Sequence, residues 1–158
     1  MGVFHVDIEV HSQVPAEKMY KALLLDGDNL ISKVVPRFVK HVEIIQGDGG
    51  VGTIKQVTFG EDVEFKTAKQ RVDEIDERNL TYSYSIIEGD VLQGVFESIR
   101  NDYKFMPSNG GSRIKHKITY NSIGDAKLTH DQIKDAREKS AIILRAVESY
   151  LQANPDAY

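Results

Sequence analysis

The stretch "IIQGDGGVGTIKQVTF", residues 44–59, places four glycines between two runs of β-forming residues. The glycine spacing is similar to that of a phosphate-binding loop. Such a loop needs a lysine directly after its last glycine, and then a helix whose first amides face the phosphates. Here Thr53 follows Gly52, and "TIKQVTF" alternates with period two, which predicts a strand. We therefore interpret residues 44–59 as a β-hairpin and not as a nucleotide site.

The same alternation recurs along most of the chain. Seven strands are predicted, at about 3–11, 39–46, 52–59, 64–75, 79–87, 95–106 and 112–121. From the second strand onward the connections are short and rich in turn-forming residues, for example "DERN" and "PSNGG". Because connections this short can join only antiparallel neighbours, the pattern predicts an antiparallel sheet.

Helical patterns interrupt and close this series. Residues 12–25 and 26–36 predict two short helices after the first strand, with Ser12 and then Asp26 or Asp28 as caps. A long C-terminal helix is predicted from a capping box at Thr129 and Gln132 to Asn154–Pro155. Its buried stripe is expected at Ile133, Ala136, Ser140, Ile143, Val147 and Leu151. The chain, residues 1–158, is predicted to form a single α+β domain.

The composition argues against several classes of function. The net charge of −4 argues against binding to nucleic acid or to an anionic membrane surface. The chain has no cysteine, which excludes disulfides and thiolate chemistry, and no apolar run approaches the length of a membrane span. The N-terminus lacks the pattern of a signal peptide. We expect a cytoplasmic monomer.

One face of the predicted sheet is unusually polar. Strand parity places Lys55, Asn101 and His116 on the face that also carries four tyrosines and several aliphatic residues. Each of these polar groups costs about 1–3 kcal/mol if it is buried without a hydrogen-bond partner. Two arrangements solve this problem: a dense core whose polar groups bond to one another, or a cavity between sheet and helix that admits ligands. The pattern alone leaves both open.

Several motifs resemble the plant pathogenesis-related class 10 family, to which the major birch pollen allergen belongs. They are "MGVF" at the start, "LDGDNLISKVVP", "EIIQGDGGVGTIKQVTFGE", "RVDEIDERNLTYSYSIIEGD" and "RAVESYLQANPDAY" at the end. The resemblance covers the full length. It implies a helix-grip fold, in which a seven-stranded antiparallel sheet wraps around the C-terminal helix and encloses a large cavity. It also implies that the cavity binds amphiphilic metabolites such as cytokinins, flavonoids and related phenolics, in plant defence or stress.

The resemblance and the strand parity together give a set of expected ligand-binding residues. They are Leu23, Lys55, Phe59, Phe65, Thr67, Gln70, Tyr82, Tyr84, Asn101, Tyr103, His116, Ile118, Lys139 and Ile143. Thr67, Gln70 and Lys139 differ from the side chains of other members. In the glycine-rich loop, Gly47, Gly49, Gly50 and Gly52 are expected to permit positive φ in a rigid hairpin, with anion binding through exposed amides as an open secondary role.

A weak ribonuclease is the alternative function. The positions invoked for this activity in the family correspond to Glu97, Glu148 and Tyr150. Otherwise we expect no catalytic residues, because an acid and a base must lie within hydrogen-bond reach and Lys55 has no evident partner. No cofactor or metal is expected either. The four polar residues of the first strand, His5, Asp7, Glu9 and His11, lie too far apart along one strand to converge on one ion.

Overall fold

A computed structural model describes residues 2–158 and contains one seven-stranded antiparallel sheet. Its strands follow the order β1-β7-β6-β5-β4-β3-β2, so that only β1 departs from a simple meander. The strands are β1 (Val3–Ser12), β2 (Val39–Gln46), β3 (Ile54–Phe59), β4 (Thr67–Asp76), β5 (Thr81–Glu88), β6 (Phe96–Ser108) and β7 (Gly111–Ser122). The predicted antiparallel sheet of seven strands is confirmed.

Two short helices, one long helix and a 3₁₀ turn before β6 (Asp90–Leu92) complete the fold. Helix α1 (Ala16–Tyr20) continues as a π-helical turn (Lys21–Leu25) into α2 (Gly27–Val34), and α3 spans His130–Ala153. The predicted capping box starts α3: the Gln132 amide donates to Thr129 Oγ1 at 3.1 Å, and the Thr129 amide donates to Gln132 Oε1 at 2.8 Å. Among residues 2–158, no helix combines the length and apolar character needed to cross a bilayer.

Ser12 does not cap the first helix. It is the last residue of β1, and Pro15 occupies the cap position of α1. The Ser12 hydroxyl instead donates to Glu148 Oε2 at 2.6 Å, which ties β1 to the C-terminal half of α3. Asp26 does precede α2, where its carboxylate accepts from the Asn29 side chain at 2.8 Å.

The two halves of α3 have different surroundings. In its C-terminal half Leu144, Val147 and Leu151 are buried in one cluster with residues of the short helices and the sheet. The remaining predicted stripe positions, Ile133, Ala136, Ser140 and Ile143, are only half-buried, and Leu144 was not predicted. The reason is geometric: the N-terminal half of α3 spans an open space over the sheet, which a regular periodicity does not show.

The outer face of the sheet is charged but locally balanced. Arg113 Nε on β7 lies 3.0 Å from Glu9 Oε1 on β1, and Lys117 is flanked in register by Asp7 and Asp102. The row of cations on β7 therefore faces carboxylates of the neighbouring strands. It does not form an unbalanced basic surface of the kind that binds nucleic acid.

Candidate ligand-binding cavity

A cavity of about 470 Å³ lies between the concave face of the sheet and the N-terminal half of α3. This volume falls within the range of about 300–1,000 Å³ that small-molecule sites occupy. Strands β3, β5, β6 and β7 form its floor, α3 forms its roof, and the loops before β4 and β6 line its mouth. Of the two arrangements left open by the sequence, the structure therefore contains the cavity.

Aromatic rings make up much of the wall. Phe59, Phe65, Tyr84, Phe96 and Tyr120 all line the cavity, and the rings of Phe96 and Tyr120 lie 5.1 Å apart. Burial raises the pKa of both Tyr84 and Tyr120 to about 12, so their hydroxyls remain protonated at neutral pH. The wall thus offers flat apolar faces together with phenolic hydroxyl groups, a combination suited to flat ligands with a few polar atoms.

A polar network crosses from the sheet to α3 beside the cavity. The Nε2 atom of His116 lies 2.8 Å from Asn101 Oδ1, and its Nδ1 atom lies 3.1 Å from Ser140 Oγ. The imidazole also stacks on the Tyr103 ring, with 4.0 Å between centroids and 10° between planes. Burial lowers the pKa of His116 to about 3, an effect that the nearby negative charge of Asp102 partly offsets. The ring is therefore neutral near pH 7.

Charged side chains lie on both sides of the mouth of the cavity. Lys139 Nζ on α3 lies 2.8 Å from Asp135 Oδ2 and 5.9 Å from the centroid of the Phe65 ring. On the opposite side, the Asp90 carboxylate accepts hydrogen bonds from the backbone amides of Lys66 and Thr67 at 2.8–3.1 Å. These amide bonds lower the pKa of Asp90 and join the β3–β4 loop to the turn before β6.

The expected ligand-binding residues fall into three groups. Seven of them line the cavity: Phe59, Phe65, Tyr84, Asn101, Ile118, Lys139 and Ile143. Leu23, Tyr103 and His116 instead surround a separate void of about 30 Å³ near the packed half of α3. Lys55, Thr67, Gln70 and Tyr82 line neither space, so the structure does not support their expected contact with a ligand in the cavity.

Lys55 differs most from expectation. It faces inward as predicted, but its Nζ atom lies 2.7 Å from Asp28 Oδ2, so the charge has a partner on α2 that strand patterns could not show. Burial raises the pKa of the neighbouring Tyr82, and attraction to Lys55 opposes this shift. Lys55 and Tyr82 thus belong to the packed region beneath α2.

The sequence patterns did not predict most of the residues that line the mouth of the cavity and its helical roof. Five of the residues that were not predicted come from loops or from the 3₁₀ turn, where period-two alternation carries no information: Phe38, Val63, Glu64, Val91 and Gln93. Asp131, Gln132, Asp135 and Ala136 come from α3. Their spacing of three and four residues, continuing to Lys139, was the available signal, because such spacing marks one face of a helix.

The glycine-rich loop is a hairpin, as predicted, with one correction. Gly47, Gly49 and Gly52 have φ of 102°, 101° and 91°, whereas Gly50 does not have positive φ. The Gly49 amide donates to Thr53 Oγ1 at 2.9 Å, the Gly50 amide to Asp48 Oδ1 at 2.9 Å and the Gly52 amide to the Val72 carbonyl at 2.8 Å. These amides are already bonded within the protein, which leaves them unavailable to an anion.

The three residues of the ribonuclease alternative do not converge. Glu148 bonds to Ser12 on β1. Ser12 pairs with Ser112 on β7, and Ser112 pairs in turn with Pro107 on β6, so Glu148 lies near the Pro107 end of the sheet. Glu97 lies ten residues before Pro107 on the same strand, a separation of roughly 33 Å. The Tyr150 hydroxyl accepts from Lys33 Nζ at 3.2 Å. An acid and a base drawn from Glu97 and Glu148 therefore cannot act on one phosphodiester.

The polar face of β1 shows no metal-like grouping. Within residues 2–158, no three His, Asp or Glu side chains come together in a way that could hold a metal ion. The Arg137 guanidinium donates to the Asp7 carbonyl at 2.7 Å, and the Arg145 guanidinium to the His11 carbonyl at 3.1 Å. This strand is therefore an edge to which α3 is attached.

A sheet that wraps around a long C-terminal helix and leaves a ligand-sized cavity between them defines the helix-grip class of proteins. The chain belongs to the Pathogenesis-related protein Bet v 1 family, whose model matches residues 1–154. The resemblance to the pathogenesis-related class 10 proteins is thereby confirmed.

Individual relatives agree with this assignment. The chain is 51% identical to Pathogenesis-related protein 2 of Petroselinum crispum over 158 residues, which cover 100% of both chains. It is also 51% identical to Ribonuclease 1 of Panax ginseng, over 97% of this chain and 100% of that protein. The crystal structure of Ara h 8.0201 superposes with a TM-score of 0.86 at 37% identity, covering 96% of this chain and 99% of that one.

Proposed function

We propose that this protein binds a small, flat, amphiphilic plant metabolite in the cavity, of the cytokinin, flavonoid or related phenolic type. The observation that carries the proposal is the aromatic cavity of about 470 Å³ between the sheet and α3. Burial of apolar ligand surface against Phe59, Phe65 and Phe96 would supply most of the binding free energy. Asn101 and the tyrosine hydroxyls would orient the ligand's polar atoms.

The physiological role follows by similarity. A relative named as a pathogenesis-related protein supports a part in plant defence or stress, in which this chain would store, transport or buffer its ligand. A cytoplasmic location and a monomeric state stay predictions from the sequence. No cofactor is needed for such a role.

The proposal is tested by a substitution that fills the cavity with a large side chain. Ala136 lies on the roof of the cavity and Ala153 at the exposed end of the same helix. We would titrate delipidated wild type, Ala136→Trp and Ala153→Trp calorimetrically with trans-zeatin and with the flavonol quercetin. The proposal predicts saturable binding to wild type and Ala153→Trp that is lost in Ala136→Trp. Equal binding to all three proteins would place the ligand elsewhere.

The ribonuclease alternative rests on one observation, the 51% identity to a protein named Ribonuclease 1. The separation of Glu97 from Glu148 argues against it. Purified wild type and Glu148→Gln, incubated with a fluorogenic RNA oligonucleotide, separate the two functions. RNA cleavage that Glu148→Gln abolishes and Ala136→Trp retains would favour the ribonuclease. No cleavage by wild type would leave the carrier function as the proposal.

A further inference from the structure

Asn101 is the most deeply placed polar group of the cavity wall. It lies in the middle of β6, its side chain borders the cavity beside Tyr84 and Ile118, and only 6% of the residue is exposed. A carboxamide presents two different hydrogen-bonding groups, an accepting oxygen and a donating NH₂. Which of them faces the ligand determines which ligands are accepted.

His116 meets the oxygen end of this amide. An amide oxygen can only accept, so the Nε2 atom of His116, 2.8 Å from Asn101 Oδ1, must carry the proton. The ring is neutral, so Nδ1 is then an acceptor and takes the proton of the Ser140 hydroxyl at 3.1 Å. The imidazole cannot turn freely, because it is stacked on Tyr103.

The other end of the Asn101 amide is left unused. Its Nδ2 atom makes no hydrogen bond to any residue of the 2–158 range, and it belongs to a side chain of the cavity wall. A donor that borders a cavity without a protein partner can bond to water or to a ligand that accepts from it. The NH₂ group therefore has a vacant hydrogen-bonding direction toward the cavity.

We propose that His116 is a positioning residue that holds the Asn101 amide with its NH₂ toward the cavity, so that the site selects ligands with a carbonyl oxygen or ring nitrogen at that depth. This inference rests on the proposed function, because it names the chemistry that the same cavity recognises. Ligands that offer only a donor at that point find no acceptor on Asn101.

Three tricyclic compounds of nearly equal shape test the proposal. 9-Fluorenone carries an acceptor, fluorene neither group and carbazole a donor at the same position of the ring system. Affinities would be measured by displacement of the fluorescent probe ANS. For wild type we expect fluorenone to bind about five- to tenfold more tightly than fluorene, the effect of one hydrogen bond to a buried donor, and carbazole no more tightly than fluorene.

Variants separate positioning from mere structural support. Asn101→Leu should bring the fluorenone-to-fluorene ratio to about one while fluorene still binds. His116→Phe preserves a ring against Tyr103 but frees the amide to turn, so the preference of fluorenone over carbazole should fall toward one. His116→Gln presents Asn101 with a group that can either donate or accept, so the preference of fluorenone over carbazole should fall below the wild-type value. Asn101→Leu and His116→Gln keep the test decisive if His116→Phe does not fold.

The outcomes are distinguishable from failure of the proposed function. If none of the three compounds displaces the probe from wild type, the cavity is not a site for flat aromatic ligands, and both proposals fall. If all three bind with equal affinity, only the role of Asn101 is refuted. If carbazole binds most tightly, the amide has the opposite orientation and the inference is wrong. An unchanged preference in folded His116→Phe would also overturn it.

Discussion

The buried imidazole of His116 should make the stability of this protein fall on mild acidification. Burial lowers the pKa of His116 from 6.5 to about 3. The unfolded chain therefore takes up a proton near pH 6.5 that the folded chain does not accept until about pH 3. Stability that is fully present above pH 6.5 is lost progressively as the pH falls toward 3. Only the upper part of this window, above about pH 5, lies above the range in which ordinary carboxylates are protonated.

The size of the effect follows from the shift. Each pKa unit corresponds to about 1.4 kcal/mol, so the unfolding free energy should fall by about 1 kcal/mol at pH 6 and about 2 kcal/mol at pH 5, relative to pH 7.5. For a domain of this size a loss of about 2 kcal/mol lowers Tm by roughly 4–8 °C.

The assay is urea denaturation of wild type and His116→Gln at pH 7.5, 6.0 and 5.0. The variant has no titrating group at this position, so its unfolding free energy should change much less over the same range. The difference between the two proteins, and not the absolute stability of either, is the predicted quantity. Parallel pH dependence of the two proteins would show that His116 is not held neutral by burial, and would refute the reasoning.

Three further predictions concern parts that shape the cavity. Thr129→Ala removes the capping box of α3 and should cost about 1 kcal/mol in urea denaturation, whereas Thr129→Ser should cost little. Gly89→Ala should lower the unfolding free energy by more than about 2 kcal/mol, because the φ of Gly89 is 128° and an added Cβ would lie 2.4 Å from the Thr67 carbonyl oxygen. Gly94→Ala is the control: the φ of Gly94 is 69° and the space around it is open, so the cost should be about 1 kcal/mol. Asp28→Asn should cost about 2 kcal/mol by leaving Lys55 buried without a partner, less than for a fully buried pair because the Asp28 side chain is 38% exposed. Lys55→Met, which removes the charge itself, should cost less than Asp28→Asn, and the reverse order would contradict this account of the pair.

The sheet was predictable because the pattern that marks each strand lies within a few neighbouring residues. Alternation along each strand identified the inward positions, and Lys55, Asn101 and His116 all lie on the inner face as parity required. The capping box of α3 was also readable, since Thr129 and Gln132 are three residues apart. Features of this kind depend on neighbours within one turn or one strand.

The predictions that were wrong or incomplete concern residues whose surroundings depend on contacts between distant segments. Asp28 reaches Lys55 from another element, so the sequence showed an inward lysine without its partner. The division of α3 into a packed half and a roof depends on how the helix crosses the sheet, so Leu144 was missed and Lys55 and Tyr82 were assigned to the cavity. Most of the mouth was missed as well, because its loops have no periodic pattern.

The resemblance supplied what periodicity could not. Parity left a dense core and a cavity both open, and only the family pattern favoured the cavity that the structure contains. Residue by residue the transfer was less accurate, since Thr67 and Gln70 lie outside it. Family membership thus defines the kind of site, while its boundary depends on the packing of this particular chain.

The most direct test of the central claim is an NMR titration of the ¹⁵N-labelled protein with trans-zeatin. If the ligand enters the space between the sheet and the N-terminal half of α3, saturable shift changes should concentrate at the amides of Phe59, Ile118 and Ala136. The amides of Val147 and Leu151, in the packed half of the helix, should change little. Changes confined to the outer face of the sheet, or none at saturating trans-zeatin and quercetin, would contradict the claim that this cavity is the working site.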